Sequence, residues 1–239
     1  MASPLIESVR RLIRRAGYDV RPHPDPGVLG FHLRRLGVDT ILDVGANDGR
    51  YARHVREIGF EGRIISFEPL SATFARLQAA SAGDDRWECH PLALGAADAH
   101  TEMAVSECTE FSSFLPLQPV AQAVHPTSRP VRRERVEIRT LDGIFAGLQL
   151  TGRTLWLKSD TQGFELQVLE GAGQYLDAFV GVQLELSLRP IYNGQPGFEQ
   201  VVGEMRRRGF VLNALLPGFA DDWELLEVDG LFVRAGVRH

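Results

Sequence analysis

From Thr40 onward, short runs of consecutive apolar residues alternate with longer stretches in which apolar residues recur every third or fourth position. The first rhythm is that of strands buried on both faces, the second that of helices with one inward stripe. Apolar runs over 40–44 and 63–67 each lead into a helical stretch: 48–58, with Tyr51, Val55 and Ile58 inward, and 71–81, with Phe74 and Leu77 inward. A strand is predicted near 87–94, ending at Leu94-Gly95, and a short one over 101–105. Residues 107–133 carry no period and are rich in Ser, Pro and Gln, so an irregular cover is expected there. Strand 134–139 precedes a short helix with Asp142 as candidate N-cap. Strand 154–159 ends at Asp160, and a helix over 163–171 is stopped by Gly171 and Gly173. Strand 179–186 ends near Glu185, and helix 197–208 carries Phe198, Val201, Val202 and Met205 at helical spacing. Strands at 210–216 and 230–234 close the pattern. Such alternation predicts an α/β fold, a mainly parallel sheet with helices on both faces. Ligands then gather beyond the C-terminal ends of the parallel strands.

The chain before Thr40 follows a different rule. Leu5, Val9, Leu12 and Ile13 fall on one helical face, with Arg10, Arg11, Arg14 and Arg15 around it. A basic amphipathic helix over residues 5–16 either packs on its own domain or makes peripheral contact with an anionic membrane. Arg21-Pro-His-Pro-Asp-Pro-Gly27 cannot continue a helix, because each proline removes an amide donor. Residues 28–36 read as a short helix. The expected division is an N-terminal segment over 1–36 and one catalytic-sized domain over 37–239.

Composition narrows the class. With 44% hydrophobic and 24% charged residues, the chain can fill a core. The net charge of -5 argues against a nucleic-acid partner. Two cysteines, Cys89 and Cys108, have neither metal-site nor disulfide-framework spacing, so a cytoplasmic location is expected. No apolar run approaches the roughly 20 residues of a membrane span.

The chemistry concentrates in Thr40-Ile-Leu-Asp-Val-Gly-Ala-Asn-Asp-Gly-Arg50 and Ile64-Ile-Ser-Phe-Glu-Pro69. A strand enters a glycine turn that opens a helix, and the next strand ends on Glu68, roughly twenty residues after Gly45. Turn amides suit a charged ligand end, and the strand-end acid suits ribose hydroxyls. A dinucleotide fingerprint needs glycine where Asn47 stands. Asp43 would repel a pyrophosphate and attract an ammonium. The pattern points to S-adenosyl-L-methionine (SAM), with Asp43, Gly45, Ala46, Asn47, Gly49 and Glu68 as candidate cofactor-binding residues. Asn47 and Asp48 have a second reading as helix caps.

Asp43, Glu68, Asp160 and Glu185 all fall at or near C-terminal strand ends, hence on one sheet edge. Converging carboxylates raise one another's pKa unless a cation sits among them. The ammonium and sulfonium of SAM are one answer, and a divalent metal is another. Asp160 is also the candidate catalytic residue, with an N-cap as its plain reading. Glu165 reads equally as a first-turn dipole complement. Lys158 alternates with Leu155 and Leu157, which leaves open the face it takes. An alcohol acceptor needs a base, and His54, His90 and His125 are candidates; His125 lies in the expected cover and is the catalytic candidate among them.

Ile41-Leu-Asp-Val-Gly-Ala-Asn-Asp-Gly49, Phe67-Glu-Pro69, Ala93-Leu-Gly95, Thr140-Leu-Asp142 and Leu157-Lys-Ser-Asp-Thr-Gln-Gly-Phe-Glu-Leu-Gln-Val-Leu-Glu-Gly-Ala172 together resemble the FkbM family of SAM-dependent methyltransferases, from about Val38 to Phe219. The resemblance implies a class I, Rossmann-like methyltransferase fold with seven strands, the last antiparallel. It adds Ala93 to the cofactor-binding residues. It implies O-methylation of a sugar, glycolipid, polyketide-like or other secondary-metabolite acceptor. Some related sugar O-methyltransferases hold magnesium (Mg2+) with acids ending the fourth and fifth strands, positions that here are Asp160 and Glu185. The chain departs from the family block at Ser159, Thr161 and Gln162, the last standing where an acid is usual. Two other readings stand beside it, a nicotinamide-dependent oxidoreductase and a non-catalytic SAM-fold interaction protein.

Overall fold

A computed structural model describes residues 27–119, 121, 126–218, 220–221 and 224–237. The basic segment 5–16 and His125 lie outside the described residues. No helix among the described residues is long and apolar enough to cross a membrane.

The main sheet is built from β1 (Thr40–Val44), β2 (Arg63–Phe67), β3 (Trp87–His90), β7 (Leu155–Ser159), β8 (Phe179–Ser187), β9 (Phe210–Pro217) and β12 (Glu227–Arg234). Their order across the sheet is β3-β2-β1-β7-β8-β12-β9. The pairings β1–β2, β1–β7, β2–β3 and β7–β8 are parallel, whereas β12 runs antiparallel to both neighbours. This is the expected seven-stranded α/β sheet with its last strand reversed.

Because side chains alternate across a strand, each strand feeds two cores. Leu42, Ile65, Leu157, Val182 and Leu184 join one cluster. It is covered by α4 (Leu141–Ile144), α5 (Glu165–Gly171) and α6 (Phe198–Arg207), through Leu141, Val168, Leu169, Val201 and Met205. Ile41, Ile64, Trp156 and Leu231 take the opposite face. There α1 (Gly27–Arg35), α2 (Arg50–Glu57) and α3 (Ser71–Ser81) bring Leu29, Leu33, Ala52, Val55 and Leu77.

That second face changes character along the strands. Trp156 pairs in register with Ile41, and Asp43 with both Ser66 and Lys158, and Lys158 with Gln183. One pleat further on lie Glu68, Gly45, Asp160 and Glu185, with Asp229 opposite Glu185. The apolar floor thus turns into two polar rows at the strand ends, which is where the site forms.

The segment between β3 and β7 departs from the predicted pattern. The single strand expected near 87–94 is split around Pro91 into β3 and β4 (Ala93–Leu94). β4 joins a second sheet of order β4-β6-β5, with β5 (Ala99–Ser106) antiparallel to β6 (Pro130–Arg139). β5 and the first half of β6 are longer than expected because their residues are mostly exposed. Arg132, Arg133 and Glu134 carry no apolar alternation to read. A short hairpin of β10 (Ala220–Asp221) and β11 (Glu224–Leu225) follows β9.

Candidate active site

A cavity of about 390 Å3 opens at the C-terminal edge of the sheet. Gly45, Ala46, Asn47, Glu68 and Ala93 line one side of it, Asp160 the middle, and Glu185, Glu227 and Asp229 the other side. Thr109, Phe111 and Phe114 from the expected cover also line it.

The turn after β1 is shaped by its neighbours. Gly45 has φ +76°, and a Cβ there would overlap the backbone carbonyl of Asp160. The close approach therefore joins β1 to the end of β7. Gly49, expected among the cofactor-binding residues, lines no part of the cavity. Its φ is +86°, and a Cβ would stand 2.7 Å from the Trp87 ring, so helix packing and backbone conformation explain it. Asn47 also adopts a positive φ, +48°, a conformation costly for a side-chain-bearing residue. It caps nothing: α2 starts from Gly49 without a side-chain cap. The Asn47 Oδ1 instead accepts from Thr109 Oγ1 at 3.3 Å, tying the turn to the cover. Arg50 and Glu110 add an ion pair across the same seam.

Glu68 is 6% exposed. Its two oxygens accept from the backbone amides of Asn47 (3.1 Å) and Leu70 (2.9 Å). Burial pushes its pKa up to about 7 against the pull of those amides and of Lys158. Each oxygen keeps a lone pair for a further donor, which suits the vicinal hydroxyls of a ribose.

Lys158 settles the question of its face by entering the site. It is 5% exposed, and its Nζ lies 3.3 Å from Asp43 Oδ1, 3.5 Å from Asp160 Oδ2 and 3.4 Å from the Gly45 carbonyl. The neighbouring acids outweigh burial and raise its pKa, so it stays cationic. A protein cation therefore compensates the converging acids, an answer the sequence reading did not weigh. Asp43 is fully buried and does not line the cavity; Ser66 donates to its other oxygen at 3.1 Å. Its ammonium partner is Lys158. Tyr51 covers Lys158, with Nζ 5.4 Å from the ring centre, and donates to Gln183 Oε1 at 3.1 Å.

Asp160 presents a partly exposed carboxylate in the middle of the cavity wall. It caps no helix, since α5 begins at Glu165 after Phe164. Glu165 clamps the intervening turn: its Oε1 accepts from the amides of Thr161 (2.8 Å) and Gly163 (3.2 Å) and from Thr161 Oγ1 (3.1 Å). Gln162, at φ +54°, donates its amide to Asp160 Oδ1 (3.2 Å) and Glu185 Oε2 (2.9 Å). Its own oxygen accepts from Tyr192 Oη at 2.8 Å. Tyr192, buried, thus ties the loop over residues 187–197 to the cavity wall through Gln162.

The structure gives the magnesium expectation no support. An N–H donor bridges Asp160 and Glu185, the acids proposed to share the ion. Among the described residues no group of three or more His, Cys, Asp or Glu side chains is placed to hold a metal. Of the other base candidates, exposed His54 stands on the cavity rim. His90 stacks on Phe67 at 5.2 Å and lines no part of the cavity.

Sequence reasoning missed Glu227 and Asp229. Strand β12 was expected to start at 230, because acids at 227 and 229 interrupt its apolar pattern. Burial and their crowding with Asp160 push Glu227 up to about 7 and Asp229 up to about 6.

A sequence model of the methyltransferase FkbM domain matches residues 43–212, most of the chain. The chain belongs to the FkbM methyltransferase family, and it is a SAM-dependent methyltransferase. Comparison with curated proteins finds no match. Among solved structures, a Klebsiella pneumoniae protein provisionally assigned as an O-methyltransferase aligns at 14% identity with a TM-score of 0.48, covering 98% of this chain and 92% of that one. Aeropyrum pernix fibrillarin with natively bound SAM aligns at 12% identity and TM-score 0.47, covering 82% and 66%. Mitomycin 7-O-methyltransferase aligns at 12% identity and TM-score 0.44, covering 83% and 50%.

Proposed function

We propose that this protein moves the methyl group of SAM onto a hydroxyl of a small polar acceptor, such as a sugar, a glycolipid headgroup or a hydroxylated secondary metabolite. The carrying observation is the layout of the cavity wall: Glu68 and the Asn47 turn on one side, acids and amides on the other, and Asp160 between them.

With the ribose at Glu68 and the amino acid end at the β1 turn, the methyl faces the middle of the row. Alkyl transfer needs alignment above all, and rigid placement supplies much of the rate. As the methyl moves, positive charge passes from sulfur toward the acceptor oxygen. Carboxylates on the acceptor side favour that displacement of charge. Asp160 is held by Lys158 and Gln162, so its field is fixed before the reaction. Acceptor hydroxyls find hydrogen-bond partners in Gln183, Glu185 and Asp229. The cover over 109–114 closes the cavity roof.

Calorimetry with S-adenosylhomocysteine tests the cofactor half, and mass spectrometry of a metabolite or lipid extract treated with isotope-labelled SAM tests transfer. Asp160→Ala is expected to abolish labelling while S-adenosylhomocysteine affinity changes by less than about threefold, the pattern of an interaction made mainly in the transition state. Full labelling by this variant removes Asp160 from the mechanism.

A further inference from the structure

The far end of the cavity holds a group with no part in binding SAM. Glu227 is 3% exposed, lines the cavity, and its Oε1 makes no hydrogen bond. The charges that act on it are acids: Glu185 hydrogen-bonds its carboxyl, and Asp160, Glu165 and Asp229 bear on it from the end of β7, from α5 and from its own strand. Tyr192 of the 187–197 loop lies within range of the same field. In register, Glu227 stands opposite Ser187, whose buried hydroxyl also lacks a partner. A buried acceptor atom without a donor is costly. Glu227 lines the cavity, so its unpaired carboxylate marks the cavity end where a ligand's hydroxyl is wanted.

Position supports the same use. Going from Glu68 to Glu227 crosses β2, β1, β7, β8 and β12, four strand spacings or about 19 Å. The nucleoside occupies the β2–β7 half, so the β8–β12 half is left to the acceptor. Glu227 and Asp229 also lie beyond residue 212, where the family match ends.

We propose that Glu227 is the general base of the reaction, its carboxylate at the cavity end taking the acceptor's hydroxyl proton. This rests on the hydroxyl-transfer reading above. The acceptor oxygen forms the new C–O bond as the methyl C–S bond breaks. The C–S electron pair stays on sulfur, giving the neutral thioether. The hydroxyl proton passes to the ionised Glu227, which releases it to solvent afterwards. Burial, with crowding by Asp160, Glu165 and Asp229 and against the hydrogen bond from Glu185, makes Glu227 a stronger base than an ordinary carboxylate and still ionisable near neutrality, the range in which a general base works best.

The test incubates isotope-labelled SAM with a metabolite extract and either wild-type protein or Glu227→Gln, following labelled product across neutral pH. Calorimetry with S-adenosylhomocysteine runs beside it. Labelled product is expected to fall about a hundredfold or more in Glu227→Gln, with S-adenosylhomocysteine affinity unchanged. The wild-type rate should rise with pH to a plateau, and Asp229→Asn should carry the midpoint to lower pH by removing a like charge. Undiminished labelling by Glu227→Gln overturns the base, as does loss of S-adenosylhomocysteine binding in that variant or an unmoved midpoint in Asp229→Asn. If the wild-type protein labels no hydroxyl while it binds S-adenosylhomocysteine, the hydroxyl-transfer reading fails and the base falls with it.

Discussion

Replacing Lys158 by Met removes the cation that stands between Asp43 and Asp160 and leaves the bulk of the side chain in place. Its Nζ lies 3.3 Å from a carboxylate oxygen of Asp43, which is fully buried. At an effective dielectric of about 20, that separation corresponds to roughly 5 kcal/mol of gross attraction. The net loss is smaller than the gross term, and removing one partner of a buried pair costs about 3–5 kcal/mol. Against a typical total stability of about 5–15 kcal/mol, this is a large fraction. Asp43 cannot swing to water, because β2 and β7 flank it and Ser66 holds its second oxygen. Its remaining escape is to take up a proton, and burial already raises its pKa. The penalty should therefore be largest at neutral pH and above, and shrink as acid supplies that proton. Urea unfolding of wild type, Lys158→Met, Asp43→Asn and the double variant measures this directly. Lys158→Met should lose about 3–5 kcal/mol at neutral pH, and the double variant should recover part of that loss. A coupling of at least about 1.5 kcal/mol between the two positions is expected. Unchanged stability of Lys158→Met, or strict additivity with Asp43→Asn, refutes the account of Lys158 as the internal counter-ion.

Two further outcomes follow from the same rows of side chains. Glu68, flanked by Asp43 and Lys158 and with a pKa near 7, must be ionised to accept from two ribose hydroxyls. Affinity for S-adenosylhomocysteine, measured by calorimetry, should then rise about tenfold between about pH 6 and 8, and Glu68→Gln should flatten that rise. For the free protein the sign reverses. Glu68 keeps its proton up to about 7 when folded and loses it near 4.5 when unfolded, so its contribution is fully present below 4.5 and is lost as pH climbs through 7. Gln162→Glu replaces an amide donor shared by Asp160 and Glu185 with another acid. It should cost about 1–3 kcal/mol in thermal or urea unfolding near pH 8 and much less in mild acid, and equal stability at both pH values would argue against the bridging role.

The parts of this molecule that obey one rule throughout were readable from the residues. Ile41 and Leu42 feed opposite cores because neighbouring side chains in a strand point opposite ways, and the run of apolar residues in β1 announces both faces at once. Glu68 was reachable because its distance from Gly45 is fixed by one helix and one strand. What escaped reading escaped for local reasons. The β5–β6 pair is mostly exposed, so Arg132, Arg133 and Glu134 show no alternation. Gln162 holds its place through a left-handed backbone, its near neighbour Asp160, and two distant side chains, Glu185 and Tyr192, that the local sequence does not imply.

Lys158 and Glu227 mark a different boundary. Each lies on the face of Trp156 and Leu231, one or two pleats beyond the last apolar residue. In β12 a search for apolar alternation stops at the first charge and so ends the strand where the site begins. Continuing the alternation past that charge would have put Lys158 on the Asp43 face, since Trp156 two residues earlier fills a core position. The same step would have carried β12 back through Asp229 to Glu227. Local rules fail at functional sites because the site uses residues the fold alone would not choose. A charged residue that keeps the phase of a buried strand is therefore a pointer to chemistry, and in this sheet that pointer reaches across the wall from Glu68 to Glu227.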